Sequence, residues 1–154
     1  MGAAEDAFER LRRIAFDGEH VERMAALGAR FQLSPGVIKT LMRLGHKDGV
    51  SMGEMARGIG VDPSYITALV DDLDARGLAR REPAPYDRRV KIIVLTDAGS
   101  AMAADIDQVL SVPPAAFSGL SQAELRQLRD LLDKVVEAQE ADRAVRADDV
   151  VAAS

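Results

Sequence analysis

Arg88 and Arg89 close the run Pro83-Ala84-Pro85-Tyr86-Asp87-Arg88-Arg89. Two prolines suit a loop and exclude a helix, so both guanidiniums are expected at the tip or descending side of a stiff, exposed turn. An arginine held out in this way can enter a narrow groove of negative potential. Asp87 beside them is expected to hold an arginine in orientation by a charge-assisted hydrogen bond. A second group precedes it: Ser64, Tyr65, Thr67 and Ala68, just after Asp62-Pro63. Three hydroxyls and a small methyl in the first turns of a helix suit base edges, a thymine methyl or phosphates, and free N–H groups at the helix start can bind a phosphate. For Tyr65 the alternative is that its ring shields the edge of the core.

These groups need a helix and a hairpin to carry them. Asp62-Pro63 is an N-cap followed by Pro at the first helical position. Ile66, Leu69, Val70 and Leu73 then form an apolar stripe at helical spacing, which leaves Ser64, Ala68, Asp71 and Ala75 outward. Gly77 sits where a C-terminal cap belongs. Leu78 to Glu82 suits a short strand, and Val90 to Leu95 is β-branched and the clearest strand in the chain. The two strands and their proline-rich loop make a β-hairpin. Upstream, Ser34-Pro35 opens a helix through Leu44. Ser51 and Glu54 form a capping box for a short helix that Gly58 and Gly60 break. Short helix, tight turn, helix and hairpin in that order read as a winged helix-turn-helix. The alternative is an αα-hairpin beside an unrelated β-hairpin.

The flanks are helical. Residues 4–30 carry apolar positions at 3–4 spacing, with Gly18 able to bend or break the segment. Thr96 caps a helix ended by Pro113-Pro114. Ser121 and Glu124 box another, with a stripe from Leu125 to Val136 that fades into a frayed tail from about Ala141. An isolated helix with that stripe exposes more apolar surface than a monomer usually tolerates, so pairing with a twin subunit is expected; folding back on its own domain is the alternative. The expected fold class is mainly α with a small β-hairpin: a winged helix-turn-helix domain at 34–99 and helical dimerisation regions at 1–33 and 100–154.

Charge is unevenly distributed. The 154 residues carry 20 Lys+Arg against 25 Asp+Glu, a formal net charge of -5. Residues 35–91 hold ten cations and eight anions, net +2, whereas residues 92–154 hold five and eleven, net -6. Local clustering outweighs the total, because charges beyond about 8 Å are largely screened at physiological salt. Cys is 0 and His is 2. That argues against disulfides, thiol redox chemistry and zinc or histidine metal sites, so no metal and no cofactor are expected. There is no Gly-rich phosphate loop and neither histidine sits in a catalytic motif, so no catalytic residue is assigned and the chain is read as not an enzyme. No apolar run approaches the roughly 18 residues that span a bilayer, and no secretory signal is visible; a cytoplasmic location and no membrane partner are expected. Met24, Phe31, Met42 and His46 could line a cavity, although plain core is the better reading of them.

Gly77-Leu78, Arg81, Pro85-Tyr86-Asp87-Arg88-Arg89 and Leu95-Thr96-Asp97-Ala98-Gly99 together resemble the wing signature of the MarR family of bacterial transcriptional regulators, D-x-R followed by L-T-x-x-G. Val61 to Gly77 resembles that family's recognition helix. Leu33-Ser34 and Gly119-Leu120-Ser121 with Glu124 match further positions, so the likeness covers about residues 30–135. The resemblance implies a homodimer built on the N- and C-terminal helices. It implies regulation, as a repressor or an activator, at a palindromic double-stranded DNA operator, often relieved by a small aromatic or lipophilic effector. It makes Arg89 the minor-groove arginine with Asp87 its partner. The expected DNA-binding set is therefore Ser64, Tyr65, Thr67, Ala68, Asp87, Arg88 and Arg89. The chain departs from the pattern at Ala68 and Asp72, where relatives often carry a base. Asp62, Asp71, Asp72 and Asp74 precede the first cation, Arg76, so affinity would lean on the wing and on Lys39, Arg43, Lys47 and Arg57, with Asp71 and Asp72 unexplained unless they pair with hairpin arginines. That acidic face motivates the alternative of a winged-helix protein-interaction module without DNA binding.

Overall fold

The computed structural model describes residues 2–16, 18–59 and 61–152, with side chains as far as residue 142. Two compact units divide the chain, Met1–Pro113 and Pro114–Ser154. The first holds α1 (Ala3–Phe16), α2 (Glu19–Phe31), α3 (Pro35–Gly45), β1 (Val50–Ser51), α4 (Met52–Ile59), α5 (Pro63–Ala75), β2 (Ala79–Pro83), β3 (Lys91–Leu95) and α6 (Asp97–Leu110). The second holds a short 3-10 turn at Ala115–Gly119 and α7 (Gln122–Ala152).

Local chemistry starts the helices where the sequence places caps. Ser34 Oγ accepts from the Val37 amide at 3.3 Å, with Pro35 at the first helical position. Asp62 accepts from the Ser64 amide at 2.8 Å. Ser51 and Glu54 exchange bonds in both directions, as do Ser121 and Glu124. Chain breaks are equally local. The helical pattern of residues 4–30 resolves into α1 and α2, parted before Glu19. α7 continues through Ala152, past the point at Ala141 where fraying was expected.

The stripe Ile66, Leu69, Val70 and Leu73 is buried, and with Ile38, Leu41, Leu44, Met55, Ile93 and Ile106 it forms one core in the first unit. Each such side chain contributes about 1.5–3 kcal/mol by leaving water. Burying that face turns Ser64, Thr67, Ala68 and Asp71 outward. Thr40, the buried polar side chain in this core, is satisfied by donating to the Gly36 carbonyl at 2.9 Å.

The hairpin differs from expectation in two ways. β2 begins at Ala79 and includes Pro83, which pairs opposite Lys91. β2 is an edge strand, where a missing N–H is tolerated. A third strand also joins the sheet, in the order β1-β3-β2 and all antiparallel, with Val50 opposite Ile93 and Ser51 opposite Ile92. Ser51 thus serves as strand residue and helix cap together. The L-T-x-x-G residues bind the base of the hairpin to α6. Thr96 Oγ1 donates to the Gly77 carbonyl at 2.7 Å and accepts from the Gly99 amide at 3.1 Å. A β-carbon at Gly99 would overlap the Leu78 carbonyl. Gly77 itself has φ +69°, a backbone that glycine adopts without strain.

Candidate nucleic-acid interface

The first turns of α5 expose Ser64, Thr67 and Ala68. Two of the three hydroxyls have already committed their protons. Ser64 Oγ donates to Asp62 Oδ1, and Thr67 Oγ1 donates to the Pro63 carbonyl at 3.1 Å. What they offer outward is acceptor capacity, which suits the amino groups of cytosine or adenine. Ala68 offers a methyl. Tyr65 is half exposed, at 48%. Its hydroxyl lies back over α3, where a β-carbon at Gly36 would come within 2.7 Å of it. The ring therefore covers the α3–α5 seam as well as meeting solvent.

The acidic residues of α5 divide by partner. Asp62 caps the helix, and the Ser64 hydroxyl, then the Ser64 amide, hold its carboxyl below the ordinary 3.8. Asp71 accepts from Arg81 Nη2 at 2.6 Å, which ties the helix to β2. Asp72 accepts from Arg76 Nε at 2.8 Å. Both pairs are at the surface and add little stability, roughly 0–1 kcal/mol. Their electrostatic effect is larger, because Asp71 and Asp72 each have a cation beside them, whereas the exposed Asp74 has no ion pair among the described residues. The pairing left open in the sequence is thus met for Asp71 by a hairpin arginine and for Asp72 by the helix's own C-terminal arginine.

The wing is held from inside. Ala84 is buried, its amide donates to the Val90 carbonyl at 2.8 Å, and the Val90 amide donates to the Asp87 carbonyl at 3.0 Å. Asp87 does not grip a guanidinium: its Oδ1 accepts from the backbone amide of Arg89 at 2.9 Å. This turn fixes the backbone of the loop and leaves the Arg89 side chain outside it. Arg88 and Arg89 are exposed and, among the described residues, form no ion pair. Arg80, by contrast, is paired with Glu82. Tyr86, 74% exposed, stands beside them on the loop and was not singled out from sequence.

The other cations singled out from sequence separate as well. Lys39, Lys47 and Arg57 are exposed, whereas Arg43 is partly buried and donates from Nη1 to the Gly58 carbonyl at 3.2 Å. Glu54 lies in the field of Lys47 and Arg57, but the Ser51 hydroxyl and amide do more to hold its carboxyl below 4.5. Met24, Phe31 and Met42 pack on the core, and Met42 together with His46 also lines a concavity of about 480 Å³ between α3, β3 and α6. Among the described residues no cluster of three or more His, Cys, Asp or Glu is placed to hold a metal, and no helix is long and apolar enough to cross a membrane.

A family model described as the MarR family matches residues 31–90, from the last residue of α2 through the wing loop, stopping short of β3. A Thauera aromatica protein assigned as transcriptional regulatory protein for the hcr operon is 32% identical over 104 residues, 67% of this chain; the aligned segment spans 63% of that relative. Among solved structures, the transcriptional regulator BldR from Sulfolobus solfataricus is 28% identical and superposes with a TM-score of 0.66, over 90% of this chain and 99% of that one. CouR from Rhodococcus jostii RHA1, bound to p-coumaroyl-CoA, is 27% identical with a TM-score of 0.65, over 88% and 94%. With its hairpin arginines, its Thr96–Gly99 clasp and this likeness across most of its length, the chain belongs to the MarR family of winged-helix transcriptional regulators.

Proposed function

We propose that two copies of this chain bind a palindromic double-stranded DNA operator as a sequence-specific repressor. Residues 34–99 carry the contact to DNA, and residues 1–33 and 100–154 carry dimerisation. Each protomer lays the start of α5 in a major groove, with Ser64, Thr67 and Ala68 at base edges and Tyr65 at the flank. Arg89 enters the adjoining minor groove, Arg88 meets phosphate, and Asp87 holds the turn that presents them. The observation that carries this reading is the contrast in charge pairing: Asp71 and Asp72 are matched by Arg81 and Arg76, while the Arg88 and Arg89 guanidiniums have no ion-pair partner among the described residues. The same contrast argues against a purely protein-binding module, because two of the anions on that face, Asp71 and Asp72, are compensated.

The repressor is released by a small aromatic or lipophilic effector. The bound p-coumaroyl-CoA of CouR and the concavity beside Met42 and His46 support that part. The protein acts in the cytoplasm, uses no cofactor and carries no catalytic activity. In vitro selection with the purified protein from a random duplex pool tests the reading. An enriched inverted repeat with half-sites about one helical turn apart supports it. A pool that stays random at low salt, with a stable protein complex recovered instead, overturns it.

A further inference from the structure

Arg43 does something that its charge alone does not suggest. It leaves the last turn of α3 and lies across Gly58 in the last turn of α4. A β-carbon at position 58 would fall inside the guanidinium. Nη1 donates to the Gly58 carbonyl at 3.2 Å, and Nε is buried with no partner. The last carbonyls of a helix lack intrahelical partners. At this end the Val61 amide satisfies the Ala56 carbonyl at 3.3 Å, and an arginine from another helix satisfies Gly58. Read from sequence, Gly58 breaks a helix; in the fold it is the notch that a flat guanidinium fills.

The far side of the same turn is held by the same helix. Asp62 starts α5, and Tyr65 lies over the bare backbone of Gly36 in the first turn of α3. A β-carbon there would also meet Leu69 at 3.1 Å. α3 therefore grips α4 through Arg43 and α5 through Gly36, on either side of the α4–α5 turn. An N–H buried without an acceptor is costly, so a loose or solvated arginine would not take this pose; the packing around Gly58 imposes it.

We propose that Arg43 is a positioning residue that sets the angle at which α5 leaves α4, and that it acts on DNA affinity through α5 and not by contact with phosphate. The proposal rests on the DNA-binding reading above, and one arm of its test is free of DNA. The variants are Arg43→Met, Arg43→Lys, Gly58→Ala and the double Arg43→Met/Gly58→Ala. Titration on a selected duplex, below the melting temperature of each variant, should show about tenfold weaker binding for Arg43→Met and for Gly58→Ala. The double variant should be no weaker than either single, because both remove one interaction. The salt slope should stay that of the wild type, and Arg43→Lys should fail to restore affinity. A slope lowered by about 0.9 per protomer, or full rescue by lysine, marks a phosphate contact and overturns the proposal. Unchanged affinity in folded variants also overturns it.

The DNA-free arm reads amide resonances of the first turn of α5 and solvent exchange at Arg43 Nε–H in the intact chain. Both Arg43→Met and Gly58→Ala should shift the same amides near Ser64, and Nε–H exchange should be slow in the wild type and fast in Gly58→Ala. If Gly58→Ala fails to fold, Arg43→Met and Arg43→Lys carry the comparison. Unmoved amides overturn the proposal. A wild type that binds no duplex while those amides still move overturns the function reading and with it the effect on DNA affinity, and supports only the part of this proposal that gives Arg43 the angle between α4 and α5.

Discussion

Replacing Arg89 by alanine isolates the wing. The side chain is exposed, has no ion-pair partner among the described residues, and the bond that shapes the turn runs from its backbone amide to Asp87, which alanine keeps. Folding stability should therefore change by no more than about 0.5 kcal/mol, as for other surface substitutions without a named mechanism. Loss of one arginine contact to DNA costs about 1–3 kcal/mol. At 1.4 kcal/mol per decade this is about 5- to 150-fold in Kd for each protomer's contact, and the dimer loses two such contacts. The salt dependence gives a second reading. If the dimer neutralises about eight phosphates, log K falls against log salt with a slope near -7, and removing one phosphate-neutralising cation per protomer reduces the slope by about 1.8. Fluorescence anisotropy on a labelled duplex, at several salt concentrations between about 50 and 200 mM, measures both. An Arg89→Ala protein that melts like the wild type and binds with unchanged affinity and slope would refute the role given to that side chain.

Three further outcomes follow from the contacts around it. Arg81→Ala leaves Asp71 uncompensated on α5; duplex binding should weaken more than for Arg80→Ala, whose arginine is paired with Glu82 away from α5, while each change costs at most about 1 kcal/mol of stability. Gly99→Ala drives a methyl into the Leu78 carbonyl, so the urea midpoint should fall by the equivalent of about 3 kcal/mol with little change in m. Glu54, Asp62 and Glu124 all have carboxyls held below their ordinary values by capping serines. For a depressed group the stabilisation is fully present above the unfolded value and is lost as pH falls through the folded one, so urea stability should decline below about pH 4 and Glu54→Gln should flatten that decline.

What the sequence makes legible here is the chemistry that acts over three or four residues. Ser34-Pro35, Asp62-Pro63, Thr96 and the two serine–glutamate boxes start helices where they stand, because a cap needs only its own next turn. The stripe Ile66, Leu69, Val70, Leu73 reaches the core for the same reason: its period is local. β1 was not legible. Two residues have no period, and Val50 pairs with Ile93 far along the chain. Asp87 misled because adjacency of opposite charges suggests an ion pair, whereas the turn brings the Arg89 amide, not its guanidinium, to the carboxylate. Arg81 as the partner of Asp71 depends on the register of β2 against α5, and the seat of Arg43 on Gly58 depends on how α3 crosses α4. Neither leaves a pattern along the chain. Charge counting alone groups Arg43 with Lys39, Lys47 and Arg57, since it cannot distinguish a guanidinium packed on backbone from one in water.

On the proposed function, paired copies of the winged unit hold one duplex. Sedimentation of the purified protein on a selected palindromic duplex, repeated across salt, addresses it most directly. Two chains per duplex are expected, with an association constant that drops steeply with salt, at a slope near -7 on logarithmic axes. A single chain per duplex, or sedimentation of free DNA at the lowest salt, would contradict it.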